Sequence, residues 1–237
     1  MKSKKIVIEL IPFFAVTVIS AVALIVYLTA LNGSSGMRIA QACITPLIPL
    51  VVPIVNRIFK FRIPFAFNVA VSVFAVLAII GASVFDFYHL IPYYDKFLHT
   101  TFGVLGGLGV FIVLLHGNGR AMKPWCFFLV IFLSVMGVAA LWEIFEYTIG
   151  AIFNSNTQNW RPVMDEVGEM TVREFFKDYN PLTDTIWDMI VAAFGVLIFF
   201  FAVFIDKLRG YKVVKKINCQ INGEVREVKE QVKEDAE

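Results

Sequence analysis

Three observations predict an all-α fold, a polytopic membrane bundle of six transmembrane helices with both termini cytoplasmic. Of the 237 residues, 58% are hydrophobic and 17% charged, whereas about 25% are charged in an ordinary soluble domain. Six apolar runs are long enough to cross a hydrocarbon core about 30 Å thick, which takes roughly 20 helical residues. The Lys and Arg residues gather on one side of those runs, and segments rich in them stay cytoplasmic. A soluble globule is thereby excluded. The formal net charge of +2 also leaves no surplus of cations to displace counterions from a nucleic acid.

The runs are, in order, Ile6 to Leu31, Ile39 to Val55, Pro64 to Phe85, Asp95 to His116, Pro124 to Phe153 and Asp184 to Ile205. The first follows Lys2, Lys4 and Lys5, but its apolar stretch is far longer than that of a secretory signal, and further spans follow. It is a retained helix. The second contains Pro46, Pro49 and Pro53; each proline removes a backbone donor and clashes with the preceding turn, so this span is expected to kink or break. Residues 1–206 then form the transmembrane domain, and residues 207–237 a cytoplasmic tail. That tail alternates around Asn222-Gly223 before turning Glu/Lys-rich, a pattern that suits a small hairpin or disorder.

Orientation rests on charge. Lys2, Lys4, Lys5, Arg57, Lys60, Arg62, Arg120, Lys123, Lys207, Arg209, Lys212, Lys215 and Lys216 all lie on one side, against Arg38, Lys96, Arg161, Arg173 and Lys177 on the other. Eleven of the 19 acids show the opposite bias and fall on or near the outer side. Between spans five and six, residues 154–183 make a long outer loop in which Val163, Val167, Met170 and Phe175 recur at helical spacing among acids. An interfacial helix fits that pattern, either as a connector or as a cover. Cys43, Cys126 and Cys219 fall at different depths, too far apart for a disulfide, and read as isolated thiols.

Ionisable groups inside a span cost about 2.5–3.5 kcal/mol each at the helix centre, so their positions carry information. Span four begins Tyr94-Asp95-Lys96-Phe97-Leu98-His99, with Gly103 and Gly107 below. Asp95 and His99 share a face one turn apart, above a glycine track that another helix can approach. Span five ends with Glu143 and Glu146 three residues apart, and span six begins with Asp184 and Asp188 above Ala192 and Gly195. Five carboxylates and one imidazole from three consecutive helices therefore reach one depth near the outer surface. Such a cluster must be protonated, solvated or neutralised by a cation.

Carboxylates with His are a ligand set for Zn²⁺, Mn²⁺ or Fe²⁺. His99, Glu143, Glu146 and Asp188 are the metal-ligand candidates, with Asp95 or Asp184 as general base. Helix capping explains Asp95 and Asp184 equally well. Glu143 and Glu146 stand at a helix C-terminus, where the macrodipole disfavours anions. A structural polar network, with Lys96 as partner, is the alternative for the whole cluster. Asp86 and His89 suit a solvated loop, and His116 an interface. Trp142, Trp187, Tyr93, Tyr94 and Tyr147 suit the aromatic belt.

The segments Tyr94–His99 with Gly103, Glu143–Glu146, and Asp184–Met189 with Gly195 resemble the signatures of the YjdF-like family of uncharacterised bacterial inner-membrane proteins. A fainter similarity runs to VanZ-like membrane proteins, which also begin a span with Asp-Lys and His. The resemblance implies a multi-pass bacterial cell membrane protein and carries no biochemical activity. The loop before Asp184 is longer here, and Thr183 stands where a Trp is expected.

Three functions stay open: an intramembrane metalloenzyme acting on a lipid or lipid-linked substrate from the outer leaflet, a proton- or cation-coupled transporter, and a non-catalytic scaffold. The absence of His-Glu-x-x-His weighs against the first. The absence of a midplane site and a clear repeat weighs against the second.

Overall fold

The structure, a computed structural model, describes residues 2–60, 62–117, 119–153 and 181–222. Six of its helices are long and apolar enough to cross a membrane: Val7–Thr29, Gly36–Ile58, Phe65–Val84, Tyr94–His116, Pro124–Phe153 and Leu182–Leu208. Each matches a span expected from the sequence. Exposed large apolar side chains such as Phe14, Val18, Ile25, Phe194 and Phe201 would be a heavy liability in water and are the normal outer face of a bundle in lipid. The interfacial helix expected within residues 154–183 lies largely outside the described residues.

Helix α1 runs from Lys2 to Thr29. The second span does break: α2, Gly36–Ile44, gives way to a 3-10 turn at Thr45–Leu47, and α3 resumes over Ile48–Ile58. Pro46 and Pro49 sit in the break and at the start of α3, where a missing N–H costs least. Helix α4, Phe65–Ala75, widens into a π-helix over Val76–Val84, which sequence patterning did not foresee. Short α5 spans Phe87–Leu90, and α6 spans Tyr94–His116. A 3-10 turn at Gly119–Ala121 leads to α7, Pro124–Phe153. Helix α8, Pro181–Leu208, is followed by α9, Lys212–Asn222.

Helix α9 corrects one expectation. The first arm of the anticipated hairpin is helical, because Asp206 accepts hydrogen bonds from the Val213 and Val214 amides, both at 2.9 Å. Orphan amides of a first helical turn are thereby satisfied, and the chain commits to a helix instead of a strand. Residues 223–237 lie outside the described residues.

Packing divides into two larger clusters with a smaller one between them. Ala23, Tyr27, Ala42, Ile80 and Val84 bind the first three spans. Phe111, Phe127, Ile131, Val135, Val196 and Phe199 form the core of α6, α7 and α8. A third cluster of Ala82, Tyr94 and Leu98 joins the π segment to the start of α6. The most extensive helix pair is α6 with α8, and glycine makes it so. A methyl group on Gly103 would stand 2.9 Å from Gly195 Cα and closer still to the Ala192 carbonyl, while one on Gly107 would stand 2.8 Å from the Phe199 ring. Backbones that close gain dispersion contacts in place of the hydrophobic effect that lipid withholds.

Candidate functional site

The close α6–α8 crossing carries Asp95, Lys96 and His99 on one helix against Asp184 and Asp188 on the other. Entry into α6 is tightly built. Asp86 and Tyr93 both adopt left-handed backbone, with φ of 62° and 60°, a conformation unusual for side-chain-bearing residues. The chain can thus reverse twice around α5. Tyr94 then donates a 3.0 Å hydrogen bond to the Leu77 carbonyl, within the π-helix where the regular ladder is disturbed. Gly81 leaves room for that ring, since a methyl there would stand 2.9 Å from Tyr94 Oη. The π segment therefore fixes the first turn of α6, and with it Asp95.

Lys96 is the hub of one side of the cluster. Its Nζ donates to Asp95 Oδ2 at 2.9 Å, to Asp184 Oδ1 at 2.6 Å and to Asp188 Oδ1 at 2.8 Å. Three donors of one ammonium meet three carboxylates, which is its full capacity. The cap expectation for Asp95 and Asp184 is thereby refined. Both lie in first turns, favourably placed for the macrodipole, but an oxygen of each is committed to Lys96. Asp188 is 2% exposed.

His99 is the pivot toward the other side. Its Nε2 lies 3.6 Å from Asp95 Oδ1 and 3.7 Å from Asp188 Oδ1, and its Nδ1 lies 4.0 Å from Glu143 Oε1. These separations exceed a direct hydrogen bond and suit a bridging water or ion. Glu143 is 5% exposed, and neither of its carboxylate oxygens meets strict hydrogen-bond geometry with a described residue, the Thr185 hydroxyl being the one side chain placed to reach it. One ligand atom each from His99, Glu143 and Glu146 lies within 4.8 Å of the others, and the same holds for Asp95, His99 and Asp188. Burying a carboxylate without a countercharge is expensive, so Glu143 calls for a proton or a cation.

All six residues anticipated from the sequence therefore come together, and their surroundings differ. Asp95, Asp184 and Asp188 surround an ammonium; His99, Glu143 and Glu146 do not. Tyr88, which sequence reasoning missed, borders the cluster from α5. Burial, with Asp95, Glu146 and Asp188 nearby, pushes its phenol well above the usual range, so it remains a neutral donor. No spacing rule marks it, because its approach depends on the two left-handed turns. Asp86 and His89 stay apart: Asp86 Oδ1 receives Arg38 at 3.2 Å and lies 2.9 Å from His89 Nδ1, a separate surface network.

Six apolar helices, three of which bring together Lys96 with a largely buried His and carboxylate cluster, define a polytopic membrane protein with a polar site. Residues 13–207 match the DUF2238 family, described as predicted membrane proteins, and the chain belongs to that family. It is the family of the YjdF-like resemblance. No curated protein and no solved structure matches the chain.

Proposed function

We propose that this protein is a divalent-metal-dependent enzyme of the bacterial inner membrane, with both termini cytoplasmic, acting on a lipid or lipid-linked substrate that enters from the outer leaflet. The observation that carries this reading is the buried Glu143 carboxylate, which no cation among the described residues neutralises at contact distance and whose Oε1 lies 4.0 Å from His99 Nδ1. His99, Glu143 and Glu146 supply one nitrogen and two carboxylates, a three-ligand set of the kind that leaves a catalytic Zn²⁺ one position for water. These ligand atoms lie within 4.8 Å of one another, near enough to be shared by one ion. An ion held by these three residues would activate water for attack near neutral pH.

The remaining residues have assigned roles. Asp95 and Asp188 lie nearest His99 Nε2 and orient the ring so that Nδ1 faces Glu143, as carboxylates behind a ligating His do. Asp188, a metal-ligand candidate in the sequence, becomes a Lys96 partner in this reading. Lys96 offsets the negative charge of Asp95, Asp184 and Asp188, and Tyr88 presents a donor to an anionic substrate group. Trp142, Trp187 and Tyr147 are exposed around the site, as expected for side chains at headgroup depth.

Metal analysis of the purified protein tests the proposal. One Zn²⁺, Mn²⁺ or Fe²⁺ per chain, lost in His99→Ala and Glu143→Ala variants that still fold, is the expected result. Metal-free but folded wild-type protein, after loading with each ion, overturns it and favours a scaffold. A proton- or cation-coupled transporter uses the same carboxylates. Its expected signature is proton-linked flux in liposomes abolished by Asp188→Asn. Broken membrane helices are common in such transporters, but the break in the second span here packs against α1.

A further inference from the structure

The opposite end of the bundle holds a second polar site, unrelated to the cluster. A cavity of about 560 Å³ opens where the start of α1, the end of α3 and the start of α4 meet, with Gln220 of α9 at its edge. That volume suits a small-molecule or headgroup ligand. Arg57, Lys60 and Arg62 line it, and Glu9 is its one acid. None of the three cations has an ion pair among the described residues, so the cavity keeps a surplus of positive charge.

The connection bearing these cations is held in shape. Asn56 Oδ1 accepts the Ile63 amide at 2.8 Å, and Asn56 Nδ2 reaches the Ile63 carbonyl at 3.4 Å. Lys60 adopts left-handed backbone with φ 56°, which turns the chain back over the cavity. Deeper in the wall lies Asn68, 2% exposed, whose Oδ1 has no hydrogen-bond partner among the described residues. Val52, Ile63 and Phe65 give the lining an apolar side.

We propose that this cavity binds an anionic phospholipid through its headgroup. The three cations take the phosphate, and a headgroup hydroxyl donates to Asn68 Oδ1 once rotation of that side chain uncovers the oxygen. A phosphodiester offers acceptors only and cannot satisfy that oxygen; a glycerol headgroup can. Basic pockets between transmembrane helices recur as headgroup sites. The shared chemistry is a phosphate with a neighbouring hydroxyl, and the apolar wall assigns it to a lipid.

Native mass spectrometry of the full-length protein in detergent tests this, with phosphatidylglycerol, phosphatidylmethanol and phosphatidylcholine as probes and glycerol 3-phosphate as competitor. Phosphatidylglycerol is expected to bind best, to weaken on the order of tenfold in Arg57→Ala/Arg62→Ala, and to lose its advantage over phosphatidylmethanol in Asn68→Leu. Glycerol 3-phosphate that binds as tightly as the lipid keeps the phosphate-hydroxyl site and moves its source to a soluble metabolite. Phosphatidylcholine bound as well as phosphatidylglycerol, or the double variant retaining wild-type affinity while folded, overturns the proposal.

Discussion

Lys96 satisfies three aspartates, while Glu143, in the same cluster, is buried with no cation at contact distance among the described residues. Replacing Lys96 with Met leaves three carboxylates without their common cation, at an expected cost of about 3–5 kcal/mol in thermal stability in detergent. An unchanged melting temperature would show that solvent already screens them. Tyr88 gives a pH dependence. Its phenol is raised by burial, so the folded state holds that proton more tightly than the unfolded chain. The stability it contributes is full below the ordinary tyrosine value of about 10 and falls as pH climbs above it. Tyr88→Phe is expected to remove that part of the alkaline loss and to lower activity without loss of metal; identical alkaline melting of the two proteins contradicts this. The six site residues were legible because their spacing and depth coincide. Lys96 as hub was less so, since a lysine beside an aspartate at a helix start reads as a solvated flank. Its long stem lets it turn away from that flank and reach α8.

Glycine and proline set the geometry of the elements. Gly103 and Gly195 let α6 and α8 meet backbone to backbone, and that contact sets the span between Lys96 and Asp184. Gly103→Leu is expected to destabilise by at least about 1–3 kcal/mol through overpacking, and to abolish metal binding although no ligand is changed. Retained metal with a normal melting temperature would mean that the crossing is slack. The glycine track and the broken second span were both readable from residue spacing. The π-helix was not, because Val76–Val84 is apolar but for Ser83 and has no proline to mark the change of pitch. Nor was α9, whose helical start depends on Asp206, a residue on the preceding element. Asp206→Ala is expected to speed tryptic cleavage at Lys212 and Lys215 severalfold over wild type; equal cleavage rates would show that α9 is held otherwise.

For the molecule as a whole, length and composition sufficed to read six spans, because the bilayer imposes one element length on every crossing. On the proposed orientation the cluster faces the outer side and the basic cavity the cytoplasmic side. Fluorescent-protein fusion at the C-terminus is therefore expected to be bright, and alkaline phosphatase inserted near residue 165 active; the reverse pair inverts the topology and moves the substrate to the inner leaflet. The division of the cluster was beyond the sequence, since it depends on which carboxylates one ammonium can reach. An anomalous-difference map from Zn²⁺-loaded crystals tests that division most directly. A single peak bounded by His99, Glu143 and Glu146, with Lys96 still among Asp95, Asp184 and Asp188, is the expected result. No peak at that position, or a peak among the three aspartates with Lys96 displaced, contradicts the account.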